Sequence, residues 1–195
     1  MQIKPIHFKI FQLLAEIAIP LLGYFFWGWG FYFILLFFLL DYLVFLTFSF
    51  VKHRKIIQFR ESPYFFPTKQ VLSTVLILTF TLIFTFIALP MIAPFDFEKQ
   101  TWEFLAYKEM GLPQGLLLLP LVIYGGYAQY KMQFLMNRKF TYVSATENWK
   151  IHHFFLWMAF LAAILFLIVS SFIVFPEFVY ISLLLLGIAG FKWFF

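Results

Sequence analysis

Long apolar runs constrain this chain more than any other feature of its sequence. The six runs lie at approximately residues 10–28, 30–51, 70–93, 113–135, 150–174 and 178–195. A helix of about 18 or more apolar residues is long enough to cross the ~30 Å hydrocarbon core of a bilayer. Only 12% of the 195 residues are charged, whereas about a quarter are charged in soluble domains. The sequence therefore predicts an all-α, polytopic membrane protein, with one six-helix transmembrane domain over residues 1–195.

The distribution of basic residues predicts the orientation of these six spans. Cytoplasmic loops of membrane proteins are enriched in Lys and Arg. With six spans, one face of the membrane receives both termini and twelve of the fourteen basic residues, namely Lys4, Lys9, Lys52, Arg54, Lys55, Arg60, Lys69, Lys131, Arg138, Lys139, Lys150 and Lys192. Both termini are thus predicted to be cytoplasmic.

Several functional classes are disfavoured by what the sequence lacks. It has no cysteine, which excludes disulfides, thiolate metal sites and a cysteine nucleophile. The G-x-S-x-G, H-E-x-x-H and P-loop patterns are missing too. His152 and His153 diverge by about 100° on a helix, so they do not form an i, i+4 metal pair. We expect no catalytic residue, metal, cofactor or nucleic-acid partner, and the sequence favours a protein that is not an enzyme.

Two carboxylates interrupt the first two apolar runs. Glu16 and Asp41 are equally far in sequence from the W-G-W-G turn at residues 27–30, which predicts the same depth for both, in the cytoplasmic half of the membrane. A charge at the bilayer centre costs at least ~2.5–3.5 kcal/mol, so each acid needs an inward partner or a function. If the two acids face each other they share a proton, and if each faces a base both are ionised. Alternatively, they only fix helix packing.

Other polar residues are predicted at a similar depth. Tyr124, Tyr127 and Lys131 follow i, i+3, i+7 spacing and share a helix face, which predicts an inward polar stripe or, alternatively, a Tyr- and Gln-rich span end. Gly125 and Gly126 allow close helix approach. The candidate functional centre consists of Glu16, Asp41, Tyr124, Tyr127, Lys131, His152, His153 and Lys192.

Local patterns add further expectations. Ser144-Ala-Thr-Glu147 predicts a capping box before the fifth span. The segment 96–111 is either a connecting loop or an interfacial helix with Phe97, Trp102, Phe104 and Leu105 towards lipid. Tryptophans near span ends predict an aromatic belt, at positions 27, 29, 102, 149 and 193. The hydroxyls of Thr74, Thr81 and Thr85 are expected to bond their own helix backbone.

The stretch from Pro20 to Asp41 resembles a bacterial multi-pass membrane family catalogued as domain of unknown function 6498. That family's N-terminal hairpin reads P-L-x-G-x-x-x-x-G-W, matched here by Pro20, Leu21, Gly23, Gly28 and Trp29. Asp41 stands at the family's acidic position, and Lys150, His153 (or His152) and Lys192 resemble its later basic residues. The family's middle histidines have no counterpart here. The resemblance implies an architecture, a set of polar residues and a location in the inner membrane of a bacterial cell, and it implies no reaction.

Three functions are compatible with these features. The first is a bundle that binds or transports a small solute, an ion or a proton at this candidate functional centre. The second is a structural or accessory subunit, docked on other membrane subunits or on a second copy of the chain. A third, less favoured, is an intramembrane enzyme acting on a lipid or quinone, with Asp41 and His153 as an acid–base pair. In each case the lipid bilayer is a partner.

Overall fold

The computed structural model describes residues 5–93, 96–105 and 114–194, and every described element is helical. Within these ranges, the side chains of residues 5–9, 11–12, 15–16, 114–117 and 192–194 are not described. The described helices are α1 (Pro5–Trp27), α2 (Phe31–Phe59), α3 (Thr68–Ile92), α4 (Phe97–Leu105), α5 (Gln114–Gln129), α6 (Ala145–Phe172) and α7 (Glu177–Phe194). A π-helical segment, Tyr130–Leu135, extends α5, and a 3₁₀ turn, Lys139–Thr141, precedes α6. The all-α prediction is confirmed for this part of the chain.

Three of these helices are long and apolar enough to cross a membrane: α2, α3 and α6, with 29, 25 and 28 residues. Shorter apolar stretches occur at Ile17–Trp27 and Glu177–Phe191. The protein therefore has transmembrane character. The prediction of six spans with cytoplasmic termini stays a prediction.

The chain forms two compact units. The first unit contains Met1–Tyr42, Ile92–Gly125 and Phe175–Phe195, and the second unit contains Leu43–Met91 and Gly126–Val174. The prediction of a single transmembrane domain is not tested by this division.

In the first unit, a tight turn joins α1 to α2. Gly28 adopts a left-handed conformation with φ 65°, which a residue without a side chain adopts at little cost. The Trp29 amide then donates a hydrogen bond to the Gly23 carbonyl at 3.0 Å. The indole of Trp29 is 3% exposed and lies 4.5 Å from the ring of Phe33. Trp29 is thus a packing residue, and its predicted place in an aromatic belt is wrong.

Helix α4 also belongs to the first unit and packs on the start of α2. The Asp96 carboxylate caps α4 by accepting a hydrogen bond from the Lys99 amide at 3.0 Å. Phe97, Trp102 and Leu105 are exposed, as predicted for an interfacial helix. Phe104 is buried instead, with its ring 4.8 Å from that of Phe33. The prediction that Phe104 faces lipid is wrong because helix α4 uses this side chain to attach itself to α2.

A carboxylate at the start of α7 caps the start of α2. The backbone amide of Phe31 donates a hydrogen bond to the Glu177 carboxylate. An isolated helix N-terminus has unsatisfied N–H groups and a partial positive charge, so a carboxylate stabilises it. The same unit brings Tyr24 and Phe178 into ring contact at 5.8 Å. The turn before α2 and the turn before α7 therefore lie together.

In the second unit, local signals fix the ends of two long helices. Helix α2 ends in a Schellman motif: the Glu61 amide donates to the Gln58 carbonyl and the Ser62 amide to the Ile57 carbonyl, both at 3.3 Å. Glu61 takes the left-handed conformation, with φ 52°. The capping box predicted before α6 is confirmed, because Ser144 and Glu147 bond each other's backbone amides at 3.1 and 2.8 Å.

The contact between Gly23 and Trp29 leads to a stability prediction. A Cβ atom at position 23 would lie 2.2 Å from the indole ring, so Gly23→Ala forces the turn apart and should destabilise the protein by about 1–3 kcal/mol. Unfolding in mild detergent, followed by tryptophan fluorescence, measures the loss.

The matched control is Gly187→Ala, in helix α7. A Cβ atom there meets nothing within 4 Å, and alanine favours a helix by up to about 1 kcal/mol over glycine. Equal stability of the two variants would contradict the role assigned to the Gly23–Trp29 contact.

Candidate functional site

A cluster of buried polar side chains lies in the second unit, where the end of α2 meets the start of α6. Ser49 and His53 come from α2, and Asn148, Trp149 and His152 come from α6. All five are less than 9% exposed, and His152 is 0% exposed. Ser49 and His53 are four residues apart, as are Asn148 and His152, so each pair shares one helix face. We call these five residues the polar centre.

Hydrogen bonds within the polar centre connect the two helices. The His152 Nε2 atom bonds the Ser49 hydroxyl. Beside it, the Asn148 side-chain amide donates to the Ser49 carbonyl at 3.0 Å. Both bonds join residues about 100 positions apart in sequence. In apolar surroundings such bonds have no competition from water, so they fix the contact between α2 and α6.

The protonation of His53 follows from its two hydrogen bonds. The Trp149 Nε1–H group donates to the Nδ1 atom of His53 at 3.3 Å, so Nδ1 carries no proton. The Nε2 atom lies 3.3 Å from the carbonyl oxygen of Phe65, which can only accept a hydrogen bond. His53 is therefore a neutral imidazole with its proton on Nε2.

Aromatic rings enclose His152. Its ring lies 4.3 Å from that of Phe45 and 5.6 Å from that of Trp149. Trp149 is in turn packed edge-on by Phe50 at 5.1 Å. The Nζ atom of Lys52 lies 5.5 Å from the centre of the Phe45 ring, a cation–π contact. The site thus combines an imidazole and a hydroxyl with a ring-lined environment. Histidine side chains within membrane spans occur in the proton relays of pumps and transporters.

Of the predicted site residues, His152 occupies the polar centre and His153 does not. His153 is half-buried and turns towards α3, where its Nε2 atom lies 3.3 Å from the Gln70 carbonyl oxygen. The two adjacent imidazoles therefore diverge, as predicted from the 100° rotation between successive helical residues.

The polar stripe predicted on the fourth span does not face inward. Tyr124 and Tyr127 are 70% and 48% exposed, and Lys131 is exposed as well. The reason is that other residues of α5 take the inward positions: Val122 is 8% exposed and Gly126 lies close against the Phe48 ring. In the π-helical segment that follows, Phe134 is the buried residue, stacked on Tyr130 at 5.7 Å.

The close approach predicted for the double glycine occurs at one of its two positions. A Cβ atom on Gly126 would lie 2.8 Å from the Phe48 ring and 3.0 Å from Val44, whereas Gly125 has open space around it.

The remaining predicted site residues are divided by the architecture. Asp41 is half-buried in the first unit, whereas Lys131, His152 and His153 belong to the second. The side chains of Glu16 and Lys192 lie outside the described residues. A centre shared by all of these groups, and an acid–base pair of Asp41 with His153, stay predictions.

Sequence reasoning missed four members of the polar centre: Ser49, His53, Asn148 and Trp149. Trp149 was assigned to the aromatic belt, but it is 1% exposed and bonds His53, so that assignment is wrong. The i, i+4 spacing of polar residues at the ends of two long apolar runs was the signal that could have identified the cluster.

The threonines of α3 behave as expected at two of three positions. The hydroxyls of Thr81 and Thr85 donate to the carbonyls of Ile77 and Thr81, each at 2.8 Å. Thr74 is 1% exposed, and its hydroxyl has no hydrogen-bond partner in the described part of the chain. The expected backbone bond is therefore wrong for Thr74.

Comparisons with known proteins return no relative. No family model matches the chain, no curated protein is detectably similar to it, and no solved structure matches its fold. Within residues 5–93, 96–105 and 114–194, no three His, Cys, Asp or Glu side chains are placed to hold a metal ion.

Two buried serines on long apolar helices allow a matched test of the polar centre. Ser49→Ala removes the hydroxyl that bonds His152 across two helices and should cost about 0.6–2 kcal/mol of stability. Ser170, 5% exposed, bonds only carbonyls of its own helix among the described contacts. Ser170→Ala should therefore change stability by less than about 0.5 kcal/mol.

The measurement is reversible unfolding of both variants in the same detergent. Equal losses for the two serines would show that the Ser49–His152 bond does not hold α2 and α6 together.

Proposed function

We propose that this chain is a bacterial inner-membrane protein of six spans, with both termini in the cytoplasm. Two sets of contacts support the topology. The segments predicted outside contact one another in the first unit, through Glu177 with Phe31 and Phe104 with Phe33. The segments predicted inside contact one another in the second unit, through Arg60 with Val143 and Phe59 with Phe140. Membership in the family catalogued as domain of unknown function 6498 is part of the same proposal.

The absence of cysteine makes the topology directly testable. A single cysteine introduced as Ser62→Cys lies in an exposed loop predicted inside, and Glu98→Cys lies on exposed α4, predicted outside. On intact cells, a membrane-impermeant maleimide should label position 98 and not position 62. Permeabilised cells should show label at both positions. Labelling of position 62 in intact cells would contradict the proposed topology.

The function that the geometry supports best is binding or passage of a small solute, an ion or a proton, and the proton is favoured. One observation carries this proposal: a completely buried imidazole, His152, bonded to a serine hydroxyl within a long apolar helix. Ionisable side chains within membrane spans are costly, and they commonly mark binding sites and proton relays. His53, a second buried imidazole, lies one helical turn from Ser49 on the same face of α2.

The test is proton flux into liposomes that contain the purified full-length protein. His152→Gln places an amide nitrogen near the position of Nε2, so the hydrogen bond to Ser49 is kept. Unlike an imidazole, the amide cannot bind and release a proton. Flux should fall to the level of protein-free liposomes, while the unfolding temperature stays close to that of the unaltered protein. Ser170→Ala, on the same helix, should leave the flux unchanged. Equal flux with and without the His152 imidazole would reject the proposal.

An accessory subunit is the alternative, and one feature favours it. The side chains of the polar centre bond one another, as a packing device for two helices would require. In that case His152→Gln leaves any flux unchanged, and the protein co-purifies with other membrane subunits or as a homo-oligomer in mild detergent. An intramembrane enzyme acting on lipid or quinone remains the least supported of the three proposals.

A further inference from the structure

Three consecutive aromatic residues are displayed on the loop between two membrane-length helices. Tyr64, Phe65 and Phe66 are 50%, 71% and 57% exposed. They lie in the eight-residue connection between α2, which ends at Phe59, and α3, which begins at Thr68. Prolines at positions 63 and 67 flank the triplet. Exposed apolar clusters of this kind indicate an interaction surface.

The backbone of this loop is held in place although its side chains project outwards. The Phe65 carbonyl bonds the buried His53 at 3.3 Å, and the Phe66 carbonyl accepts a hydrogen bond from the Thr68 amide at 2.8 Å. The ring of Phe66 also stacks on that of Phe50 at 5.7 Å. A fixed backbone presents the aromatic side chains in one arrangement, so their exposure is a built feature of the second unit.

Basic residues are frequent in the segments on either side of the aromatic triplet. The second unit has nine Lys and Arg residues against two acidic ones, Glu61 and Glu147. The Glu147 carboxylate is already engaged in the capping box with Ser144. Arg54, Arg60 and Lys69 are exposed on the segments that border the loop.

Two contacts bring further basic segments to the same end of the unit. Arg60 donates to the Val143 carbonyl at 3.3 Å, next to the turn that contains Arg138 and Lys139. The Nζ atom of Lys55 lies 5.7 Å from the centre of the Phe140 ring. The positive charge of α2, the loop and the turn before α6 is therefore concentrated in one region.

We propose that this surface, formed by Arg54, Arg60, Tyr64, Phe65, Phe66 and Lys69, binds the headgroups of anionic phospholipids. The loop is tethered between two helices long enough to cross the bilayer, which keeps it at the level of the headgroups. Aromatic side chains favour that interfacial layer. Lys and Arg at the membrane surface are attracted to anionic lipid. The combination selects an anionic leaflet, and it stands apart from the role proposed for His152.

The test uses the full-length protein in mild detergent and native mass spectrometry to count retained lipids. Phosphatidylglycerol and phosphatidylcholine with identical acyl chains are offered at equal concentration. The unaltered protein should retain the anionic lipid about tenfold better, because each Lys or Arg near the surface adds attraction to anionic headgroups. Arg54→Gln combined with Lys69→Gln should bring phosphatidylglycerol down to the level of phosphatidylcholine. Phe65→Ser should lower retention of both lipids, because it removes an interfacial anchor.

The control is Lys99→Gln, which removes an exposed lysine of the first unit and should leave the lipid preference unchanged. An equal unfolding temperature in phosphatidylcholine shows that each variant is folded. Equal retention of both lipids by the unaltered protein would overturn the proposal. Retention of a soluble acidic peptide, without retention of phosphatidylglycerol, would overturn it in favour of a protein partner. Unchanged preference in the double variant would also overturn it.

Discussion

Within an apolar helix, a polar side chain finds hydrogen-bond partners only on its own backbone or on a neighbouring helix, because hydrocarbon supplies none. This chain meets the constraint in two ways. Thr81 and Ser171 bond carbonyls of their own helices. The polar centre instead bonds across helices, from His152 to Ser49 and from Trp149 to His53. In the second case the same hydrogen bonds satisfy the polar side chains and hold the helices together. Removal of one partner therefore leaves the other without its hydrogen bond and weakens the helix contact.

Hydrogen bonds of the polar centre also reach the exposed loop after α2. His53 accepts a hydrogen bond from Trp149 in the interior and donates its remaining proton to the Phe65 carbonyl of the aromatic loop. A buried imidazole thus sets the backbone position of a segment whose aromatic side chains are exposed. In the first unit, the carboxylate of Glu177 has a comparable effect, because it satisfies the amide of Phe31 at the start of α2. Single polar groups therefore determine where two turns and one loop are placed.

The features that could be predicted are those with a local signal in the sequence. The apolar runs gave the positions of the long helices, and the Ser144–Glu147 pattern gave the start of α6, because both signals are local in sequence. Two of the failures were non-local. Phe104 was expected on the lipid side of an interfacial helix and Trp149 in an aromatic belt, yet each packs on a residue at least 70 positions away. Tyr124, Tyr127 and Lys131 are all exposed. Their spacing groups them on one face, but spacing does not tell which face of a helix packs on a neighbour.

The sequence by itself determined the class of protein, the order of its helices and the concentration of basic residues on particular connections. These follow from residue type and local spacing alone. Only the tertiary structure decided that Ser49 meets His152 and that Arg60, just after the end of α2, meets Val143 in the segment before α6. Spacing tells which residues share a face of one helix, as Ser49 with His53 and Asn148 with His152. Which two faces meet depends on shape complementarity between segments about 100 residues apart, and no local pattern encodes that choice.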